Sequence, residues 1–448
     1  MRGPVLLLCL LLGCGDDAVA PTDASTDAAA DIGPTAPEWP DAPASLTIGE
    51  GERQLLRPPS ELTVSVTATG VTAEVRDGAI SVYAPYGTTE GQLDVELTTS
   101  VGGADPAVPA NLEIPVTVPA LAWGAPLAAE EVPTGPEARE HPALILDEGR
   151  NRLLVIGGSG YRPYGTPLGD AWALDLASGA WTALEVTGSL PPTGSMRVAQ
   201  APGATTAVLF GGYGAGGRTS EALLRVDYSG EGLVIDEVPQ TGFLSSASRS
   251  LHAFMYDPET DLYWTFGGIT GASPRDDVRR MQIVDGEALW VFEDTGPGPS
   301  PRYGFFYGFD QAQGRLYVFS GAQGTNPLDP ARDLWMLDVR AVPAQWTRLF
   351  EGEDLPEGRR NGIFAWDPRG PRLFVFGGTP DAMRSALGLF AFDFGGLAPS
   401  VTRLELANEA PIRSSGVGIF DPTKNRMLLG FGNTTEAVYA DVQTLVTN

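Results

Sequence analysis

Five arginines recur in fixed register along the C-terminal two-thirds of the chain. Each is followed by an Asp eight positions on and a Gly eleven beyond that: Arg139/Asp147/Gly158, Arg249/Asp257/Gly268, Arg302/Asp310/Gly321, Arg359/Asp367/Gly378 and Arg413/Asp421/Gly432. A sixth, shortened copy is read from Arg197 to Gly212 and lacks the Asp. A guanidinium is a planar fork of donors that matches a carboxylate. A ring of such groups therefore reads as an anion- or carboxylate-binding surface. The alternative is that each Arg pairs with a neighbouring Asp or loop carbonyl and ties the structure together. Tyr303 and Arg360 break the repetition beside two of the arginines. The segments 159–169, 213–220 and 322–332 differ in length and carry Tyr161, Arg162 and Tyr164, then Tyr213 and Arg218, then Asn326 and Arg332. Aromatic residues beside Arg suit a peptide or sugar surface. The candidate ligand-binding residues are thus Arg249, Arg302, Tyr303, Arg359, Arg360, Arg413, Tyr161, Tyr164 and Tyr213.

Other chemistry is poorly supported. The two histidines, His141 and His252, sit at different offsets from the nearest repeat Arg and read as core or channel-wall residues, so no metal site is expected. The repeat Asp residues read as turn caps that accept from their own backbone. There is no Gly-x-Ser-x-Gly elbow and no phosphate loop. No catalytic residue and no cofactor is assigned.

The elements that hold these residues follow from a period of about 55 positions, the mark of a repeat architecture. In the fifth copy 362–365 is short and apolar, Trp366-Asp367-Pro368-Arg369-Gly370 is a turn, and 372–376 is a β-branched and aromatic run closed by Gly377-Gly378. That is a hairpin. A third strand follows and ends in Asp (171–175, 223–227, 281–285, 334–338, 389–393). A fourth carries Trp181, Trp290 or Trp346, with Val401 in its place in the fifth copy. Each copy is one four-stranded antiparallel sheet that cannot bury both faces alone; six packed radially can. The last copy ends after its third strand (438–445), and Trp123 lies sixteen residues before Arg139, as Trp181 does before Arg197. A strand around Trp123 is therefore expected to complete the sixth sheet and remove a free edge.

The Gly-Gly pairs at 157–158, 211–212, 267–268 and 377–378, the Asp turn and the fourth-strand Trp resemble the kelch family over roughly 120–448. The resemblance implies an all-β, six-bladed propeller closed by an N-terminal strand. It implies that the repeat Arg residues ring one face, where in some animal kelch propellers they meet acidic peptides. It fixes no activity, because the fold hosts unrelated functions. Galactose oxidase shares the propeller, but its copper site needs a Cys that the mature chain lacks. A six-bladed epimerase (mutarotase) of sialic acid is the enzymatic alternative that the resemblance offers.

The start of the chain reads as an export signal at 1–13, with Arg2 as its basic region and 5–12 as its apolar core. Leu11-Leu12-Gly13-Cys14 resembles a bacterial lipobox, which implies lipidation at Cys14, and Gly15-Asp16 resembles an outer-membrane address. Residues 14–43 read as a disordered acidic Ala/Thr/Pro tether. Residues 44–119 alternate with period two and read as a small β-sandwich resembling an immunoglobulin-like module, although its usual Cys and Trp landmarks are absent. The propeller takes 120–448.

The formal charge is −27, and −27 − 1 = −28 once Arg2 is lost with the signal. That excludes nucleic acid, which needs a basic footprint. All but one of the 29 basic residues are Arg, the exception being Lys424. The expected protein is a monomeric, lipid-anchored binding or interaction protein of the bacterial cell envelope, periplasmic or surface-facing. Its partner is an envelope or extracellular protein or a glycan, and it touches membrane through its lipid only. The alternatives are the epimerase and a structural envelope or adhesion component.

Overall fold

The computed structural model describes residues 38–48, 53–60, 62–76, 79–84, 90–99, 110–118, 121–123, 127, 135–160, 165–243, 247–324, 326–381, 386–396, 398–404, 412–434 and 437–447. Cys14, the export signal, most of the tether, Tyr161 and Tyr164 lie outside them.

Six four-stranded antiparallel cores follow one another along the chain. Blade one is built from Ala143–Asp147, Arg152–Ile156, Ala171–Asp175 and Trp181–Ala183. Blade four, from Phe306–Asp310, Arg315–Phe319, Asp333–Asp338 and Gln345–Glu351, repeats the order. Blades two and three each gain a short parallel fifth strand on the outside, Val186–Gly188 and Gln240–Gly242. The last blade is completed from the N-terminal side. Leu121–Trp123 pairs antiparallel with Val442–Thr447, Trp123 opposite Leu445. The architecture is an all-β, six-bladed propeller with the expected closing strand.

The second strands run nearly continuously apolar because they are buried on both faces. Each boundary between blades then holds its own core. Ile145 and Leu154 of blade one meet Leu209 and Leu224 of blade two. Phe306 and Phe319 meet Leu373 and Phe392 across the fourth and fifth blades. Trp123 joins Phe376 and Leu445 across the fifth and sixth. Leu153 and Trp181 meet Leu428 and Phe431 where the ring closes. No blade has a finished core of its own, so the ring stands as a unit.

The second copy is corrected by the structure. The position homologous to Arg139 is Thr193, which stands nineteen residues before Gly212 as Arg139 stands nineteen before Gly158. Thr193 is followed by Ser195 with φ 58°, matching His141 with φ 46° two residues after Arg139. The copy is full length, with Thr in place of Arg and Ala201 in place of Asp. Arg197 instead heads the first strand, Arg197–Gln200, at the register of Ala143, Ala253, Phe306, Ile363 and Val417.

Before the propeller, two small sheets enclose a separate core of Leu46, Ile80, Val82, Leu93, Val95, Ile114 and Val116. Leu62–Thr69 shows the strict alternation of a strand with one wet face. Trp39 is buried in this core, so its packing begins before residue 44. The module touches the propeller where the Tyr83 hydroxyl donates to Asp393 of blade five.

Candidate functional site

The repeat arginines are buried and engaged within the blades. Arg139, Arg249, Arg302 and Arg413 have no exposed surface, and Arg359 has almost none. Each donates to the carbonyl eighteen residues on, at the end of the second strand: Gly157, Gly267, Ser320, Gly377 and Phe431. Four also hold an Asp at the start of the third strand. Arg139 grips Asp170 at 2.7 and 2.8 Å, Arg302 grips Asp333 at 2.6 and 2.9 Å, and Arg413 grips Asp441 at 2.6 and 3.1 Å. Arg249 reaches Asp277 at 2.9 Å. In the fifth copy Leu387 stands where the Asp would be, and Arg359 lies over the Phe390 ring at 5.1 Å. The forks thus clamp second strand to third within a blade. The alternative reading of the arginines is the one the geometry favours, and the fixed Asp at +28 or +31 was its overlooked signal.

Tyr303, Arg360 and Tyr213 belong to three different blades, and none lines the channel described below. Tyr303 pairs with Ala322 in a two-residue strand. Arg360 bridges Thr379. The Tyr213 hydroxyl shares a 2.6 Å hydrogen bond with Ser159. The repeat Asp residues do cap the hairpin turns: Asp310 accepts from the amides of Ala312 and Gln313, and Asp421 from those of Thr423 and Lys424.

Two residues after each clamp position the chain enters the left-handed region, at His141, Ser195, Leu251, Gly304, Asn361 and Ser415, with φ between 46° and 62°. Five non-Gly residues in this conformation carry strain that only a repeated purpose sustains. They place backbone hydrogen bonds at five of the six junctions between blades. His141 donates to Ser415, Ser415 to Asn361, Asn361 to Gly304, Gly304 to Leu251, and Ser195 to His141, at 2.6–3.1 Å. Of this ring of residues, His141, Gly304 and Asn361 line the axial channel on the face where the candidate arginines were expected to work.

Behind the ring the channel holds a compartment of about 140 Å³, bounded by His141, Gly304 and Asn361 on the ring side and by Arg197, Val198, Tyr307 and Phe364. It continues into a funnel of about 540 Å³ that shares Val198, Tyr307, Phe364, Gly418 and Ile419 and widens between the hairpin turns. The wide end is walled by Tyr256, Phe309, Trp366 and Phe420. Gly308 makes room for this wall: a Cβ there would lie 2.0 Å from the Trp366 ring.

Arg197 is the one cation in the lining of the deep compartment. Its Nε donates to the His252 carbonyl at 3.0 Å, and its guanidinium lies 5.9 Å from the Tyr307 ring centre and 5.7 Å from that of Phe364. Among the described residues no carboxylate is within ion-pair reach of it. Enclosure lowers its pKa below the usual guanidinium range, with Tyr307 offsetting part of the effect. His141 is held neutral, its pKa pushed down to about 3 by burial and by the nearby Arg197 charge. His252 is driven in the same direction by burial and by Arg249 and Arg197. Burial raises Tyr307. The compartment is therefore a positively charged pocket, partly shielded from water, without a carboxylate in its lining. The sequence hides it because the spacing from Trp181 makes Arg197 resemble a repeat member, although the other five copies are apolar at its register.

No family model matches the chain, and no curated protein matches it in sequence. Among solved structures, that of YjhT is similar with a TM-score of 0.52 at 14% identity, over 71% of this chain and 97% of that one. The likeness is one of fold.

Proposed function

We propose that the protein is a binding protein of the cell envelope that receives the anionic group of its ligand in the propeller channel, at Arg197. The observation that carries this reading is the half-buried Arg197 guanidinium, which holds one backbone carbonyl and lies by two rings but meets no carboxylate among the described residues. A partly enclosed guanidinium without a carboxylate lacks its strongest partner, and Arg cannot discharge itself by losing its proton. A ligand carboxylate supplies the missing partner in a site where water competes weakly.

The channel favours binding over epimerase chemistry. Proton transfer needs a base and an acid whose pKa values lie near working pH. His141 is far too acidic for that, and the lining of the deep compartment offers no carboxylate. The lipobox at Leu11-Leu12-Gly13-Cys14 supports anchoring to a membrane through lipid on Cys14, with the intervening acidic segment as a stalk.

The test is thermal stabilisation of the full chain by a panel of small carboxylates, with Arg197→Met in parallel. Some members are expected to raise the melting temperature of the parent and not that of the variant. A panel that stabilises neither protein, or both alike, overturns the reading. Cell fractionation of Cys14→Ser tests the anchor: the variant is expected in the soluble fraction, and retention in membranes removes that part.

A further inference from the structure

Resting on that reading of Arg197, we infer that the ligand is an apolar monocarboxylate, an aryl or alkyl acid that enters acid-first from the hairpin-turn face, and not a sugar acid. Three observations carry this. The deep compartment has room for a carboxylate and a slim stem: it is about 140 Å³ and is lined by glycine at 304, 362, 416 and 418. It widens only toward the turn face, where the wall is aromatic.

The second observation is that three polar side chains of the funnel wall are already engaged, which leaves Glu148 on a hairpin turn and Asn361 at the ring as its free acceptors. Gln200 donates its amide to the Tyr228 hydroxyl at 2.6 Å. Gln311 donates to the backbone carbonyls of Gln200 and Tyr256, both at 3.1 Å. The Tyr256 hydroxyl donates to Asp261 at 2.9 Å. A polyhydroxylated ligand would lose its water here and find few partners, and unpaired polar groups are strongly rejected in such a site. An apolar body gains from burial against Tyr256, Phe309, Trp366 and Phe420.

The third observation is charge. The chain carries −27 overall, and the channel lining offers one cation. One anionic group is rewarded, while further ones meet only repulsion.

The experiment is calorimetric titration of the full chain with 3-phenylpropionate, 3-phenylpropionamide and glucuronate. A dipeptide ending in phenylalanine, free or amidated at its C-terminus, distinguishes a small acid from a polypeptide end as the source of the carboxylate. Phenylpropionate is expected to bind at least ~10-fold more tightly than glucuronate and about 30-fold more tightly than its amide, the range for a hydrogen bond to a charged group. Trp366→Ala is expected to weaken phenylpropionate and leave the weak glucuronate signal unchanged. If glucuronate binds as well as phenylpropionate, and both lose affinity in Arg197→Met, the apolar class is wrong while the anion site stands. If acid and amide bind alike, or Arg197→Met changes nothing, the anion site itself fails. The ligand ranking on the unmodified chain decides the question even if a variant does not fold, and no binding of any probe overturns the inference.

Discussion

At the scale of single residues, the buried clamp arginines and the half-buried Arg197 lead to opposite expectations. Arg302 is wholly buried and holds Asp333 through two short hydrogen bonds. Removing one partner of such a pair leaves the other charge stranded, at a cost of about 3–5 kcal/mol. Arg302→Leu should therefore lose roughly that much stability in urea unfolding, and a loss under about 1 kcal/mol would contradict the clamp. Arg197 has no charge partner, so Arg197→Met should unfold at or above the denaturant concentration of the parent. From sequence alone the two arginines look alike. The period exposes the repeat, but only the register distinguishes a clamp from an intruder. Counting back from Gly212 by nineteen residues lands on Thr193, and that arithmetic was available without coordinates. What was not available is which way each side chain turns, since a first strand offers both a blade interior and the channel.

At the scale of elements, strand order was the most legible part of the chain. Hydrophobic runs, Asp turns and Gly pairs report backbone requirements that side-chain packing cannot override. The pairing of Leu121–Trp123 with Val442–Thr447 follows from a missing fourth strand and a displaced Trp. Trp123 lies 5.4 Å from Phe376, ring centre to ring centre, and is part of the core between the last two blades. Losing a buried Trp costs about 3–5 kcal/mol. Trp123→Ala should lower stability by that amount while unfolding remains a single transition. Removal of residues 1–130 deletes the strand altogether and should broaden the transition, because the edge of Val442–Thr447 is then unpaired. A truncated chain that melts as sharply and at the same temperature as the parent would refute ring closure as a source of stability. Less legible was the shape of the axial channel. The left-handed residues at its ring end encode no distinctive side-chain pattern, so nothing in the sequence marks them as its lining.

At the scale of the whole molecule, the pH response combines the charge of −27 with a few buried groups. Surface carboxylates begin to take up protons between pH 7 and pH 5, which relaxes their mutual repulsion. His141 behaves differently. Unfolded, it takes up a proton near its ordinary pKa of 6.5; folded, it resists until about pH 3. At this residue the unfolded chain therefore binds more protons across this window, and its contribution to stability falls as pH falls. The stabilisation is fully present above 6.5 and is lost progressively toward 3. From pH 7 to pH 5 His141 alone accounts for about 2 kcal/mol, and His252, shifted in the same direction, adds to it. His141→Asn keeps a residue suited to the left-handed backbone at this position. Urea unfolding of the parent and of this variant at both pH values isolates the effect, and the variant should lose about 2 kcal/mol less on acidification. Equal losses would mean that His141 is protonated in the folded channel, and the compartment beside Arg197 would then be far better hydrated than its enclosure implies.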